Sequence, residues 1–580
     1  MPILYVAGWK SDALPSYALD WPVSERHGRG SRYDWQNERM FVHAALHGTD
    51  EKSHVLHLDD GRIALLSGYA GDEDVSGFLK RNLFLDGEIL RLREVMGGIY
   101  SLLLVDPQRE EIRGWSSQPA IEGIYFDMQT KAISNRPALL APSARGSNLE
   151  YLSWYLGPGY SLDTSTPFAG VSTVPSDKSL LCTTKAIGLR PHPNPPIERF
   201  TELTVHEASE MGEAVLLECC IPLQRFSDVE LFLSNGKDSR LLCAALAKSG
   251  TSVKTSTRDV PDGGILEVAG KVSGLAGFTS SLMSIETIST DPLSQVSKVL
   301  KSSFGHPNTE ANVDFGLWPV SSGPSGAVIF GHAHLQKGGF IRRMLRSHEE
   351  VRTALLETFD NPLAAQAVRQ AVRDSIIEWQ ETHDFAEKVG PLFWANHDFR
   401  VARYLRAHFY RFSSNTNPVY PLVDERWARL CAALPKNYLA NESFMYLVMH
   451  RLYPKLSELP PVEKRWRFES GSASDIHPET YEQRAAASLK ESPCSSRPDA
   501  WSDSNLHQAL AKRVLDSTHR KSIMECVASQ MQSTLAAIAQ GTHPEIDNIP
   551  RRLVTVQLFR MAEASVLYDE VLPYFKGQLK

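Results

Sequence analysis

The stretch VELFLSNGKDSRLLCAALAKSG, residues 229–250, holds a strand, a loop and a helix in immediate succession. VELFL (229–233) is a mostly apolar run of strand length and SNGKDS (234–239) is a loop. RLLCAALAKSG (240–250) carries apolar residues at helical spacing and closes on a glycine suited to a helix C-terminus. Working outward, VHEASEMGEAVLLECCIPLQR (205–225) is helix-patterned, VKTSTR (253–258) is a second strand, ILEVAGKVSGLAG (265–277) is a helix, and GAVIFGHA (326–333) is a buried-strand candidate. Strands and helices that alternate in this way predict a doubly wound parallel sheet, so the C-terminal part is expected to be α/β and to bind a nucleotide.

The first 200 residues have another texture. VLHL (55–58), RIALLSGYAG (62–71), GGIYSLLLVD (97–106) and SLLCTT (179–184) are short β-rich runs broken by Gly, Asp and Pro, which predicts a sheet-dominated unit. Repeated prolines in PHPNPPIERF (191–200) end it, because proline supplies no ladder hydrogen bond and fits no helix interior. Two domains are therefore expected, 1–200 and 201–580. Residues 344–412 and 505–580 are helix-patterned, whereas 469–500 is rich in Ser, Pro and charge and is expected to be a mobile segment or lid. No internal repeat is evident at the periods of solenoids or propellers.

Composition narrows the function. The chain has 580 residues, 42% hydrophobic and 22% charged, enough for a large core and for at least two domains. Its 61 basic against 68 acidic residues give a net charge of −7, which offers no global attraction for nucleic acid or anionic lipid. The seven cysteines are scattered, with no Cys-x-x-Cys pair, arguing against a disulfide framework or a zinc ribbon. With no signal-like leader and no long apolar run, a cytoplasmic location without membrane or nucleic-acid partners is expected.

The loop carries the chemistry. At the end of a parallel strand, a glycine turn points backbone N–H groups outward and the following helix adds its positive end, which together hold phosphate. Ser234 and Ser239 can donate to phosphate oxygens, Gly236 opens the turn, and Lys237 stands in the same loop. Asp238 would repel an anion unless it holds Mg²⁺ against the pyrophosphate, so Ser-x-Gly-x-Asp-Ser suggests an ATP pyrophosphatase loop with ATP and Mg²⁺ as its ligands. The competing reading is an ordinary strand-to-helix turn in which Asp238 and Ser239 are N-caps. Neither a G-x-x-x-x-G-K-[ST] loop nor a G-x-G-x-x-G fingerprint is present.

LFLSNGKDSRLLCAAL (231–246) resembles the Ser-Gly-Gly-x-Asp-Ser loop of the asparagine synthetase superfamily, with Asn235 in place of one glycine. Further segments resemble that family in the expected order: IFGHAHLQKGGF (329–340) its second nucleotide segment, PVYPLVDERWARLCAALP (418–435) its Pro-Phe-Leu-Asp segment, and LPPVEKRWRF (459–468) the late segment that carries a lysine. GGIYSLLLVD, WSSQPAIEGIYF and AISNRPALL resemble its N-terminal glutaminase-type domain. The resemblance implies an Ntn-hydrolase-like β-rich sandwich followed by a doubly wound α/β ATP pyrophosphatase domain with added helices. It also implies ATP-dependent activation of a carboxylate to an acyl-adenylate, which an amine then attacks to form an amide.

Glutamine-using members expose an N-terminal cysteine nucleophile, whereas this chain reads Met1-Pro2 and has no cysteine before Cys182, so a degenerate amidotransferase domain is expected. That pattern resembles the β-lactam synthetases and, with the C-terminal IPRRLVTVQLFRMAEASVLYDEVL, the lasso-peptide macrolactam cyclases. The implied partners are a precursor peptide and a leader protease. Amidation of a small molecule or polysaccharide by an external amine, and a catalytically silent nucleotide- or peptide-binding chain, are the other readings. On the same resemblance, Lys464 steadies the charge of the attacked acyl group, Arg258 and Gly331 lie near the nucleotide, and Asp424 is structural. The residues after Gly331 depart from the family, since His332 to Lys337 include no carboxylate. Asp238 is then the main metal ligand, or Lys337 replaces part of the metal's charge at the phosphate, or adenylation is lost. His332 and His334 read as ordinary loop residues.

Overall fold

The computed structural model describes residues 3–10, 31–46, 54–71, 96–141, 146–191, 200, 202–234, 236–258, 264–283, 292–307, 326–331, 347–382, 391–413, 416–459, 466–470, 504–542, 544–546 and 548–578. It is a mixed α/β structure with two antiparallel sheets and one parallel sheet.

The antiparallel strands are β1 (Leu4–Trp9), β2 (Ser31–Gln36), β3 (Met40–Leu46), β4 (Val55–His57), β5 (Ile63–Ala70) and β6 (Gly98–Asp106). They continue with β7 (Glu111–Ser116), β8 (Tyr125–Asp127), β9 (Ile133–Ser134), β10 (Val171–Thr173), β11 (Lys178–Thr183) and β12 (Ile187–Pro191). One sheet runs β10-β8-β9-β1-β3-β2 and the other β12-β11-β7-β6-β5-β4. Alternation of side chains makes them face each other: Tyr5, Ala7 and Trp9 of β1 pack with Leu65, Leu103 and Val105 across the interior. Leu4 and Val6, on the opposite face of β1, join the core that includes helix α1 (Leu149–Leu156), and Leu102 and Leu104 cover the outer face of β6.

After α2 (Val205–Cys220), closed at its start by a Thr204/Glu207 capping box, the parallel sheet begins. Its strands are β13 (Asp228–Phe232), β14 (Lys254–Arg258), β15 (Thr279–Met283), β16 (Gly326–Ile329) and β17 (Asn417–Val419), in the spatial order β15-β14-β13-β16-β17. The chain therefore winds outward from β13 in one direction through α3 (Lys237–Lys248) and α4 (Gly264–Ala276), then returns after α5 (Pro292–Ser302) to build the other flank. The point of reversal lies between β13 and β16, the position where open parallel sheets collect ligands. Glu230, buried in the central strand, is satisfied by the Ser256 hydroxyl, which also meets Ser281 at 2.9 Å. The closing glycine behaves as expected, since Gly250 takes φ +71 directly after the C-cap of α3.

The helix-patterned stretches contain α6 (His348–Phe359), α7 (Gln366–Thr382), α8 (Leu405–Ser413) and, near the C-terminus, α11 (Ser504–Leu515), α12 (Ser529–Ala539) and α13 (Arg551–Val566), with α9 (Glu425–Ala433) and α10 (Ser443–Leu452) between. Among the described residues no helix is long and apolar enough to cross a membrane. The segment 469–500 is described only at Glu469 and Ser470, so the expected mobile stretch lies outside the described residues.

Asp424 ties the antiparallel and parallel parts together. It N-caps α9 through the Arg426 amide at 3.0 Å, accepts the Gly98 amide of β6 at 2.6 Å, and pairs with the Arg426 guanidinium at 3.0 Å. Gly97 and Gly98 have φ +55 and +88, and a side chain at Gly97 would occupy the space of that guanidinium. Nearby, Glu425 accepts the Gln118 amide, Tyr69 accepts the Tyr420 amide, and Arg406 of α8 donates to the Ala120 carbonyl. Asp424→Ala removes a helix cap and leaves the largely buried Arg426 without its main counter-charge. It is expected to lower unfolding stability by about 3 kcal/mol in denaturant titration and to speed hydrogen exchange at the Gly98 amide.

Candidate functional site

β13 runs into the loop at Leu233, whose amide bonds the Ser256 carbonyl of β14 at 3.0 Å, so this amide belongs to the sheet rather than to a ligand. Beyond it the loop is knitted by two hydroxyls. Ser239 Oγ accepts the Ser234 amide at 3.2 Å and lies 3.0 Å from Ser234 Oγ, which itself accepts the Gly236 amide at 3.0 Å. Ser239 Oγ is also within donating distance of the Ser234 and Gly236 carbonyls. These bonds tie Ser234 to Gly236 and Ser239, and Ser234 stands exposed.

Helix α3 starts with Gly236, in extended conformation (φ −72, ψ 156), at its N-cap position and has no side-chain cap. Asp238 and Ser239 thus stand inside the first turn, and neither is the N-cap. The reason is local: Ser239 Oγ is turned back toward Ser234 and Gly236, and a glycine cap has no side chain to offer. This twelve-residue helix therefore begins, at the C-terminal edge of a parallel sheet, on a glycine that offers no side-chain cap. Asp238, 6% exposed, sits in its first turn, where the helix dipole favours a negative charge.

Across the point of reversal, β16 is parallel to β13 in the register Leu231↔Ile329. Phe232 and Phe330 then meet at a centroid distance of 4.9 Å, with Tyr420 stacked on Phe330 at 5.3 Å. Next comes Gly331, so close to α3 that a Cβ there would stand 3.0 Å from the Ser239 nitrogen and 3.3 Å from the Asp238 carbonyl carbon. The structure thus brings Ser234, Gly236, Asp238, Ser239 and Gly331 to one place. Gly236 and Gly331 keep the backbone bare, and two hydroxyls and the Asp238 carboxylate stand beside it. That donor set fits a phosphate held with a divalent metal.

The other expected residues are placed differently. Lys237 is buried, with its ammonium 2.5 Å from Glu442 and 4.6 Å from the centre of the Trp466 ring. Arg258 closes β14, opposite Met283 of β15, and its side chain lies outside the described residues. Lys337 and Lys464 lie outside the described residues, as do His332 and His334. Asp424 is the tie described above. The six described cysteines are all free and buried.

Three residues at this place were not singled out from the sequence. Glu442 and Trp466 surround Lys237 from more than two hundred positions away, a distance no local pattern bridges. Arg240, in the first turns of α3, is 1% exposed and bonds the Leu459 carbonyl, and its Nε and Nη2 find no acceptor among the described residues. Burial pushes its pKa down to about 10. Its position in the helical pattern was visible as a charged residue on a face of leucines and alanines.

Protein-family models give no match to this chain, and a search of curated proteins finds no significant relative. Gly331→Val places branched carbon against the Ser239 backbone and is expected to displace the first turn of α3. The check is thermal unfolding with and without inorganic pyrophosphate and Mg²⁺: stabilisation by the ligand should disappear while the midpoint without ligand falls by only a few degrees.

Proposed function

We propose that this chain is an ATP- and Mg²⁺-dependent amide ligase of the asparagine synthetase type that adenylates a carboxyl group and closes a macrolactam on a peptide. In this reading residues 1–200 are a degenerate Ntn-type amidotransferase domain and residues 201–580 an ATP pyrophosphatase domain. The observation that carries it is the close approach of Gly331 to the glycine-started first turn of α3, with Asp238 inside that turn, at the point where the parallel sheet reverses its winding.

The nucleotide's phosphates would lie at the start of α3, beside Gly331 and the hydroxyls of Ser234 and Ser239. Mg²⁺ held by Asp238 supplies charge neutralisation on the pyrophosphate when bound. A substrate carboxylate oxygen attacks the α-phosphorus as the bond to pyrophosphate breaks. A substrate amine then attacks the acyl carbon, AMP leaves, and the amine gives up a proton. Lys464 is proposed to stabilise the negative charge that develops on the acyl group.

That the amine belongs to the substrate is supported by the antiparallel half. Its single cysteine, Cys182, is buried in β11, and burial raises its thiol pKa above the ordinary value, the opposite of what a nucleophilic thiol needs. A precursor peptide and a leader protease are the corresponding partners.

The test uses purified protein, ATP, Mg²⁺ and candidate precursor peptides. AMP and pyrophosphate are expected as products, with the peptide lighter by one water. Asp238→Asn should lower pyrophosphate release by at least about a hundredfold with the fold intact. Formation of ADP, or turnover indifferent to this substitution, would overturn the reading. A mass change that instead matches replacement of OH by NH₂ would point to an external amine.

A further inference from the structure

Glu442 occupies a backbone position that does not call for glutamate. Its φ is +67, a left-handed conformation that is strained for a residue with a Cβ and costs a glycine almost nothing. It is 3% exposed, immediately before α10. Strain of this kind persists where surrounding contacts determine it, and here the contacts are made by the carboxylate.

Those contacts join three separate elements. Oε2 meets the Lys237 ammonium at 2.5 Å and accepts the Arg467 amide at 3.2 Å, while Oε1 lies 3.6 Å from Arg467 Nε. Arg467 in turn donates to the Ala440 carbonyl at 3.1 Å, and Trp466 packs its ring beneath the Lys237 ammonium. The side chain of the first residue of α3 is thereby tied to α10 and to Trp466. Three residues along the same face, Arg240 reaches the Leu459 carbonyl.

We propose that Glu442 is a positioning residue for the candidate phosphate site: through Lys237 and the Arg467 amide it fixes the first turn of α3, and Lys237 serves as a strut rather than as a phosphate ligand. This inference rests on the nucleotide-binding reading above. It makes a prediction opposite in sign to simple electrostatics. Removing a negative charge beside an anion site should tighten anion binding, whereas loss of a positioning carboxylate weakens it.

The experiment compares the full-length wild type with Glu442→Gln, Lys237→Met, Lys237→Arg and the double variant Lys237→Met/Glu442→Gln. Calorimetric affinity for Mg·ATP and the thermal unfolding midpoint are measured for each. Glu442→Gln and Lys237→Met are each expected to weaken Mg·ATP binding about tenfold, with the double variant no weaker than either single. Lys237→Arg, which keeps a cation for Glu442, should stay within about threefold of wild type. Unchanged or tighter binding by Glu442→Gln, with loss confined to variants lacking the lysine cation, would make Lys237 a phosphate ligand and overturn the proposal. If the wild type binds neither Mg·ATP nor pyrophosphate, the nucleotide reading fails by itself, and the midpoints still judge the strut. The double variant should then lie nearer the wild type than either single, because one buried charge left alone is worse than none, and simple additive losses would overturn the strut.

Discussion

Beyond the ends of β13 and β16 the backbone of Gly331 lies so close to that of Ser239 that a Cβ on it would stand 3.0 Å from the Ser239 nitrogen. Much of the architecture can be read as what holds this approach in place. The Leu231↔Ile329 register sets the height at which the two strands end. Phe232, Phe330, Tyr420 and His408 fill the space beneath, with the Phe330 ring 4.5 Å from that of His408. Tyr420 follows β17, and His408 lies on α8, so the outer strand and its preceding helix are joined to the same point. A parallel sheet tolerates such proximity because each strand leaves its edge in the same direction, which gathers two exits at one place.

Legibility from sequence followed the range of the forces involved. The strand at 229–233, the loop, the helix that follows and its terminating glycine were all readable, because periodicity and left-handed glycine are local properties. Gly331 was readable only through a resemblance, since nothing in IFGHAHLQ says that its glycine will meet a helix hundreds of atoms away. The helical pattern begins at Arg240, whereas α3 starts at Lys237, and the competing reading of Asp238 and Ser239 as N-caps does not hold because Ser239 makes its bonds backward to Ser234 and Gly236. β15 and β17 were not recognised as strands. TSSLM is polar and NPV contains a proline, and both lie at sheet edges, where the hydrophobic signal is weakest and proline is tolerated. The tie at Glu442 had no signal at all, because a buried ion pair between distant positions leaves no period and no motif.

Polar contacts connect the antiparallel half to the rest alongside a shared apolar core. Arg136, fully buried, pairs with Glu122 at 2.7 Å and spreads its guanidinium over the Tyr410 ring at 3.7 Å. Tyr410 OH accepts the Gly123 amide and meets Tyr125 OH, which in turn meets His306 at 2.8 Å. Burial, reinforced by Arg406 and Arg136, holds the His306 pKa well below its usual value, so this imidazole is neutral at ordinary pH and leaves the two arginines unopposed by a further cation. Directional bonds of this kind are demanding: each buried group needs its partner at a particular place, which fixes one relative orientation of the elements that carry them.

That rigidity gives the antiparallel half a use that requires no nucleophile. Arg406 and Tyr410, which bond Ala120 and Gly123, lie on α8, the helix that also presents His408 to Phe330. Asp424, which holds Gly98, follows Tyr420 by four residues. The two attachments therefore flank β17 on either side, and β17 is the neighbour against which β16 is registered, with the Phe330 amide bonded to the Val419 carbonyl at 3.2 Å. A displacement of the antiparallel sheets would be passed through β17 to β16 and so to Gly331. On the proposed reading, the candidate phosphate site beside Gly331 is braced against the antiparallel half through β17 and β16.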